Sequence, residues 1–420
     1  MHQRISRKEN VDDAPGMRRA QLVLHLHGFQ NQEHISSLYD FACPHQTLRQ
    51  LSLKRGPDRS HGQIVPRRRG WQARLHRQNT VKIKPMNFTP LIELTRAGTQ
   101  ECLHFGAVAV VNTRGQTVAW AGNPDWLCYT RSTLKAFQAL PFVAGGGAAH
   151  FGLSSEHLAL MCASHNGEDR HVAVAQGILE ACGQTYKVLR CGCHVPYVFA
   201  TLDTVPPAGF VPDERHHNCS GKHSGFVAYC VQHGHSVADY TEPLHPLQAA
   251  IRGHLARVTG LTEGDLVMGI DGCSAPNYAI PLSKLALAYA RLASGPQDAE
   301  FGDSFGPLSE AMTAHPDLVS GSGRSDLAFM TAGRGDWVTK VGADGVQAFA
   351  SKSRGEGFAI KISDANKPAL FAATVEVLEQ LGWLDDAQRQ ALKPWRATRL
   401  VNARATLVGE RKAVFTLVRS

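Results

Sequence analysis

The sequence predicts an α+β protein: one large domain over residues 86–420, with an antiparallel sheet built from both ends of that stretch and helices on its faces. Three observations predict it. Runs rich in β-branched and aromatic residues, bounded by turn signals, lie near both ends, at 102–124 and again at 336–363. The chain between them has the apolar spacing of helices. Hydrophobic residues make up 43% and charged residues 19%, a balance that supports a sizeable core in a chain of 420 residues.

The elements follow in order. "CLHFGAVAVVNTRGQTVAWAGNP" alternates and turns at Asn112 to Gly115, which reads as a hairpin. "RSTLKAFQALPFV" opens a helix at Arg131 or Ser132. "SSEHLALMCASHNGEDRHVAVAQGILEACG" gives two helices broken at Ser164–Gly167, the second ending at Gly183. The Pro-containing 191–212 reads as a loop, and helices are expected over 220–233, 245–259 and 281–294. "DWVTKVGADGVQAFAS" and "EGFAIKIS" read as two strands joined by a loop, and "DANKPALFAATVEVLEQLGW" as an amphipathic helix.

The net charge of +8 is unevenly distributed. Residues 1–85 hold 16 Lys and Arg against 6 Asp and Glu, leaving 28 against 30 in 86–420. The first segment also carries seven histidines and a single short apolar run, so it is expected to be a disordered basic extension, with Met86 the natural first residue. The near-neutral body offers no basic groove, and nucleic acid is not expected as a partner. No run of about 18 apolar residues is present, and residues 1–30 lack the apolar core of a secretory leader, so a membrane span is not expected either. Ten cysteines without regular spacing suggest free thiols and a cytoplasmic location.

Several residues could carry chemistry. Ser132 and Lys135 are three apart at a helix start, where a lysine amine can reach a serine hydroxyl and take its proton. A lone S-x-x-K carries little weight. Ser164 in a helix break and Lys340 in "TKVG" on a late strand add to it, since that order is the one found in serine β-lactamases and penicillin-binding proteins. The bland reading of Lys340 is a solvated strand lysine. "HNCSGKHSG", residues 217–225, crowds Cys219, Lys222 and His223 together, as a nucleophilic thiol, half of a metal clamp, or an ordinary helix start.

Taken with "RSTLK", the stretches "LMCASHNGEDRH", "RCGCH", "NCSGKH", "GIDGCSAP", "HPDLVSG" and "KVGADG" occur in one order. Together they resemble the rhizobial-type, class 3 L-asparaginases, the thermolabile asparaginase II family, over roughly residues 90–410. The resemblance implies a β-lactamase-like fold, a homodimer, and hydrolysis of L-asparagine to L-aspartate and ammonia. It implies that Ser132 with Lys135, and Ser164 with Lys340, form two Ser–Lys pairs; the helix start favours Ser132 as nucleophile. It also implies a Zn²⁺ ion held by Cys219, Lys222 and Cys273, positioning substrate rather than acting as the catalytic Lewis acid. Arg131 and Asp271 suit the α-carboxylate and α-ammonium of an amino acid, the competing reading being a structural ion pair. His223 would orient the metal site from behind. The alternatives are a serine-dependent glutaminase or another β-lactamase-like serine hydrolase, because one methylene is a small difference for a pocket to read.

Overall fold

The computed structural model describes residues 88–396 and 398–420. The basic extension expected over 1–85 lies outside the described residues. Among these residues, nine strands form one curled antiparallel sheet and three form a smaller one. The large sheet contains β1 (Thr89–Arg96), β2 (Thr99–Asn112), β3 (Thr117–Ala121), β7 (Trp337–Gly342), β8 (Val346–Ser351), β9 (Glu356–Ile362), β10 (Arg399–Val401), β11 (Leu407–Ala413) and β12 (Val418–Arg419). Its order is β10-β11-β1-β2-β9-β8-β7, with β3 paired to β2 and β12. The small sheet has the order β4 (Leu127–Tyr129), β6 (Pro276–Pro281), β5 (Val267–Ile270). Strands from both ends of the described chain thus share one sheet, as expected from sequence.

β2 is central and long. Its first half pairs with β1 and its second half with β3 on one side, while β9 runs along the other with Gly106 opposite Ile362 and Val110 opposite Phe358. Side chains alternate between faces along it. Ala107 and Ala109 enter the core beneath the helices, whereas Val108 and Val110 enter a second core with Phe349, Phe358 and Trp383. Phe349 and Phe358 face each other across β8 and β9 with ring centroids 4.9 Å apart. Each aromatic side chain buried there contributes about 1.5–3 kcal/mol.

The helices run α1 (Lys135–Ala144), α2 (Gly147–Phe151), α3 (Ser155–Met161), α4 (Asp169–Ala181), α5 (Tyr197–Thr201), α6 (Ser220–Gln232), α7 (Pro246–Thr259), α8 (Leu282–Ser294), α9 (Gly302–Ala314), α10 (Pro316–Val319), α11 (Ser325–Gly333), α12 (Lys367–Gln380) and α13 (Asp386–Arg396). α12 covers one face of the large sheet and α8 the other, burying Leu370 and Ala373, and Leu285 and Tyr289, respectively. Asn366 caps α12 by accepting from Ala369 N at 2.9 Å, with Pro368 in the first turn.

Two expectations change. The segment 336–351 is not one strand but the hairpin β7–β8, because Asp344 and Gly345 both adopt positive φ and close a tight turn. α5 interrupts the loop expected over 191–212. Among the described residues no helix is long and apolar enough to cross a membrane, and eight cysteines carry free thiols.

Candidate active site

β4 delivers the chain into a 3-10 turn, Arg131–Leu134, that runs into α1. The turn is fastened from behind. Asn277 on β6 accepts from Arg131 N at 3.0 Å and donates from Nδ2 to Arg131 O at 3.0 Å, gripping both sides of one residue. Between those bonds Arg131 adopts φ +49°, a left-handed conformation that costs a non-glycine residue about 1–2 kcal/mol. Tyr289 of α8 adds a bond from its hydroxyl to Thr133 O at 2.8 Å. On the far side, β7 passes so close that a Cβ at Gly342 would sit 3.1 Å from Thr130 O and 3.3 Å from Arg131 Cβ. The glycine of K-x-G therefore lets the Lys340 strand approach the Ser132 turn.

Ser132 is 9% exposed, and its hydroxyl makes no hydrogen bond among the described residues. Lys135 reaches past it. Its Nζ lies 2.9 Å from Ser164 Oγ and 3.4 Å from Asn218 O, and it also donates to Ala163 O. Ser164 is fixed in the break after α3, its amide donating to Val319 O at 2.9 Å. Two carbonyl acceptors around an amine leave its third position for the serine hydroxyl, the arrangement a nucleophile or proton relay needs.

Lys340 is 1% exposed and donates to Asp326 Oδ2 at 2.6 Å and to Val341 O at 3.0 Å. The second carboxylate oxygen of Asp326 accepts from Val341 N at 2.8 Å. Burial pushes the Lys340 amine down to about 8; Asp326 opposes the shift and nearby Lys135 adds to it. The two lysines and two serines are thus gathered in one buried region, but the pairing differs from the expected one: Lys135 bonds Ser164, and Lys340 bonds a carboxylate.

Arg131 Nε donates to Asp271 Oδ1 at 2.9 Å, and Nη1 bonds Asp344 Oδ2. These two candidate substrate contacts therefore bond each other, the ion pair that was the competing reading.

Cys219 is the residue before α6 and Lys222 lies in that helix's first turn; Cys273 comes from the β5–β6 turn. All three are buried, with Lys222 Nζ 2.8 Å from Cys273 Sγ. A hydrogen bond from the Cys219 thiol raises its own pKa well above the ordinary range and lowers that of Cys273 well below it. Burial pulls Lys222 down, but the Cys273 and Cys219 sulfurs outweigh it and hold the amine above its ordinary value. His223 donates or accepts at Nδ1 with the Tyr240 hydroxyl at 2.9 Å, while its Nε2 is buried without a partner. Burial brings this imidazole down to about 4, with Lys222 adding to the shift. Among the described residues no three His, Cys, Asp or Glu side chains gather around a metal position, so a cation here would need the Lys222 amine as third donor. Two sulfurs and a nitrogen are donors that Zn²⁺ accepts, and the orphaned His223 nitrogen sits beside them; the residues fit the ion.

Sequence reasoning missed Asp326, Asn277 and Asn166. Asn166 stands in the "SHNG" break, with Nδ2 donating to Glu168 Oε1 at 3.1 Å and to Ser322 O at 2.9 Å. Asp326 carried a signal in retrospect, a carboxylate in the otherwise apolar "SDLAFM". A cleft of about 640 Å³ lies between α11 and α13, lined by Arg324, Leu327, Thr331, Ala391 and Trp395 among others, and none of the sequence-predicted residues borders it.

The profile of one family, L-asparaginase II, matches residues 92–413. No curated protein matches the chain.

Proposed function

Because this chain belongs to the L-asparaginase II family, whose activity makes it an L-asparaginase and a hydrolase, we propose that it cleaves L-asparagine through an acyl-serine formed by the Ser132, Lys135, Ser164 and Lys340 group. The observation that carries the reading is the buried Lys135 Nζ to Ser164 Oγ hydrogen bond of 2.9 Å, with a second buried lysine, Lys340, on the strand that passes against the Ser132 turn.

Ser132 attacks the side-chain carbonyl carbon of asparagine. Its hydroxyl makes no hydrogen bond among the described residues and follows a strained residue, whereas Ser164 is occupied by Lys135. The Ser132 proton passes to Lys135 when that amine is neutral, either directly or through Ser164. The tetrahedral intermediate collapses as the same relay protonates the leaving nitrogen, releasing ammonia and an aspartyl ester on Ser132. Water then attacks the ester, losing a proton to the relay, and aspartate leaves as Ser132 regains its hydrogen. Lys340, held by Asp326, sets the charge facing this relay.

The Cys219, Lys222 and Cys273 cluster would hold Zn²⁺. When bound, the ion would supply a fixed positive charge that orients the substrate. His223 stands beside Cys273 and Lys222, and Tyr240 fixes the His223 ring. Arg131 and Asp271 form an ion pair at the start of the Ser132 turn. The same reading makes the enzyme a cytoplasmic homodimer, which light scattering on the full chain checks.

Ammonia release by the full-length chain from L-asparagine, beside L-glutamine, tests the reaction. Rapid-quench mass spectrometry with peptide mapping tests the nucleophile. An adduct on Ser164 would exchange the roles of the two serines. No ammonia from folded protein would overturn the proposal.

A further inference from the structure

An amino-acid substrate brings an α-carboxylate, and a buried site has to answer it with a cation. Arg131 is the guanidinium nearest the Ser132 turn in sequence, but its charge is already met by Asp271 and Asp344. A second guanidinium is not met. Arg324 precedes α11 and donates from Nη1 to Asn166 Oδ1 at 3.0 Å, with Cζ 5.9 Å from the centre of the Tyr197 ring. Among the described residues it forms no ion pair with a carboxylate. Asp326, two residues along, is engaged by Lys340 and the Val341 amide.

The position of Arg324 relative to the chemistry follows from its neighbours. Asn166 is two residues beyond Ser164 in the same helix break, and both hydrogens of its amide are taken by Glu168 and Ser322. The Asn166 oxygen therefore has one orientation available, and it turns the guanidinium towards the break. Arg324 is also close enough to Lys340 to disfavour its charge, and burial itself disfavours the Arg324 charge. A partly buried guanidinium with most of its donors unspent, set over an aromatic ring, lacks a planar anion.

Resting on the asparaginase reading, we propose that Arg324, positioned by Asn166 and Tyr197, receives the α-carboxylate of the substrate and so selects amino acids over simple amides. The Arg131 guanidinium instead serves the architecture of the Ser132 turn.

The experiment compares full-length wild type with Arg324→Ala and Arg324→Lys on two substrates. One is L-asparagine; the other is 3-aminopropanamide, which keeps the reacting amide and the amino group but has no carboxylate. Loss of a charge-assisted contact should raise KM for L-asparagine about 10–100-fold in Arg324→Ala, with a smaller change in kcat. Arg324→Lys should fall between, since it keeps the charge and loses the fork. The kcat/KM for 3-aminopropanamide should be low in wild type and unchanged in both variants, and L-aspartate should inhibit Arg324→Ala more weakly. Equal losses on both substrates, or a wild-type KM for L-asparagine in Arg324→Ala, would overturn the assignment. If Arg324→Ala does not fold, the same comparison with Arg324→Lys decides. Failure of wild type to release ammonia from L-asparagine would strike the underlying reading instead, so the two failures are distinguishable.

Discussion

Asp326 holds Lys340 with one carboxylate oxygen and the amide of the next residue, Val341, with the other, so one side chain both supports the charge of the buried lysine and ties down the strand that carries it. It joins the first turn of α11 to β7 and leaves Lys340 facing Lys135.

Asp326→Asn keeps the Val341 contact and removes the anion. Lys340 already titrates near 8 because burial outweighs Asp326, so removing Asp326 lowers it further. A rate that depends on Lys340 deprotonation rises through about pH 8 in wild type. That limb should move to lower pH in Asp326→Asn, as a kcat profile would show. The sign for stability follows from the same shift. Between pH 8 and the ordinary lysine range the unfolded chain binds the extra proton, so this group makes stability increase with pH there.

Lys135→Met removes the amine that bonds Ser164 and both carbonyls. Turnover of L-asparagine should fall at least about 1,000-fold, with far-UV circular dichroism unchanged. Ser164→Ala should lose about as much as the double variant with Lys135→Met, because residues acting as one unit are not additive. Additive losses would separate the two residues.

Asn277→Ala strips both hydrogen bonds from the Arg131 backbone. It should destabilise the fold by about 1–3 kcal/mol, a drop in Tm of several degrees, and reduce kcat by more than it changes KM. Asn277→Asp keeps the acceptor to Arg131 N and should recover part of the loss.

Chelation should raise KM for L-asparagine more than it lowers kcat, and Cys273→Ser should cut bound zinc measured by atomic emission. Because the ligands must shed protons, zinc content should also fall as pH drops. A kcat collapse at constant KM would assign the ion to the chemical step.

The periodic parts of the fold were legible. The β2–β3 hairpin, α6, α7, α8 and α12 sit where alternation, caps and Gly or Pro stops place them. The β7–β8 turn was hidden because apolar residues continue on both sides of "GADG", and β5 and β6 because they are short and hold Gly and Pro. The candidate side chains were found by type and order, but not who touches whom. S-x-x-K spacing points Lys135 at Ser132, yet a four-carbon stem carries the amine to Ser164, 29 positions away. Asp326 and Lys340 are 14 apart on different elements, and only the packing of α11 against β7 makes them partners.

The left-handed Arg131 carries a consequence for how such a chain evolves. Glycine at that position would relieve the left-handed strain of about 1–2 kcal/mol and give up half-exposed ion pairs worth about 0–1 kcal/mol each, so mutants screened for heat resistance alone should drift to it, whereas screens for ammonia release should hold the arginine that shapes the Ser132 turn. Position 131 is therefore where durability and turnover pull the sequence in opposite directions. The residue found there in a laboratory lineage records which pressure was applied.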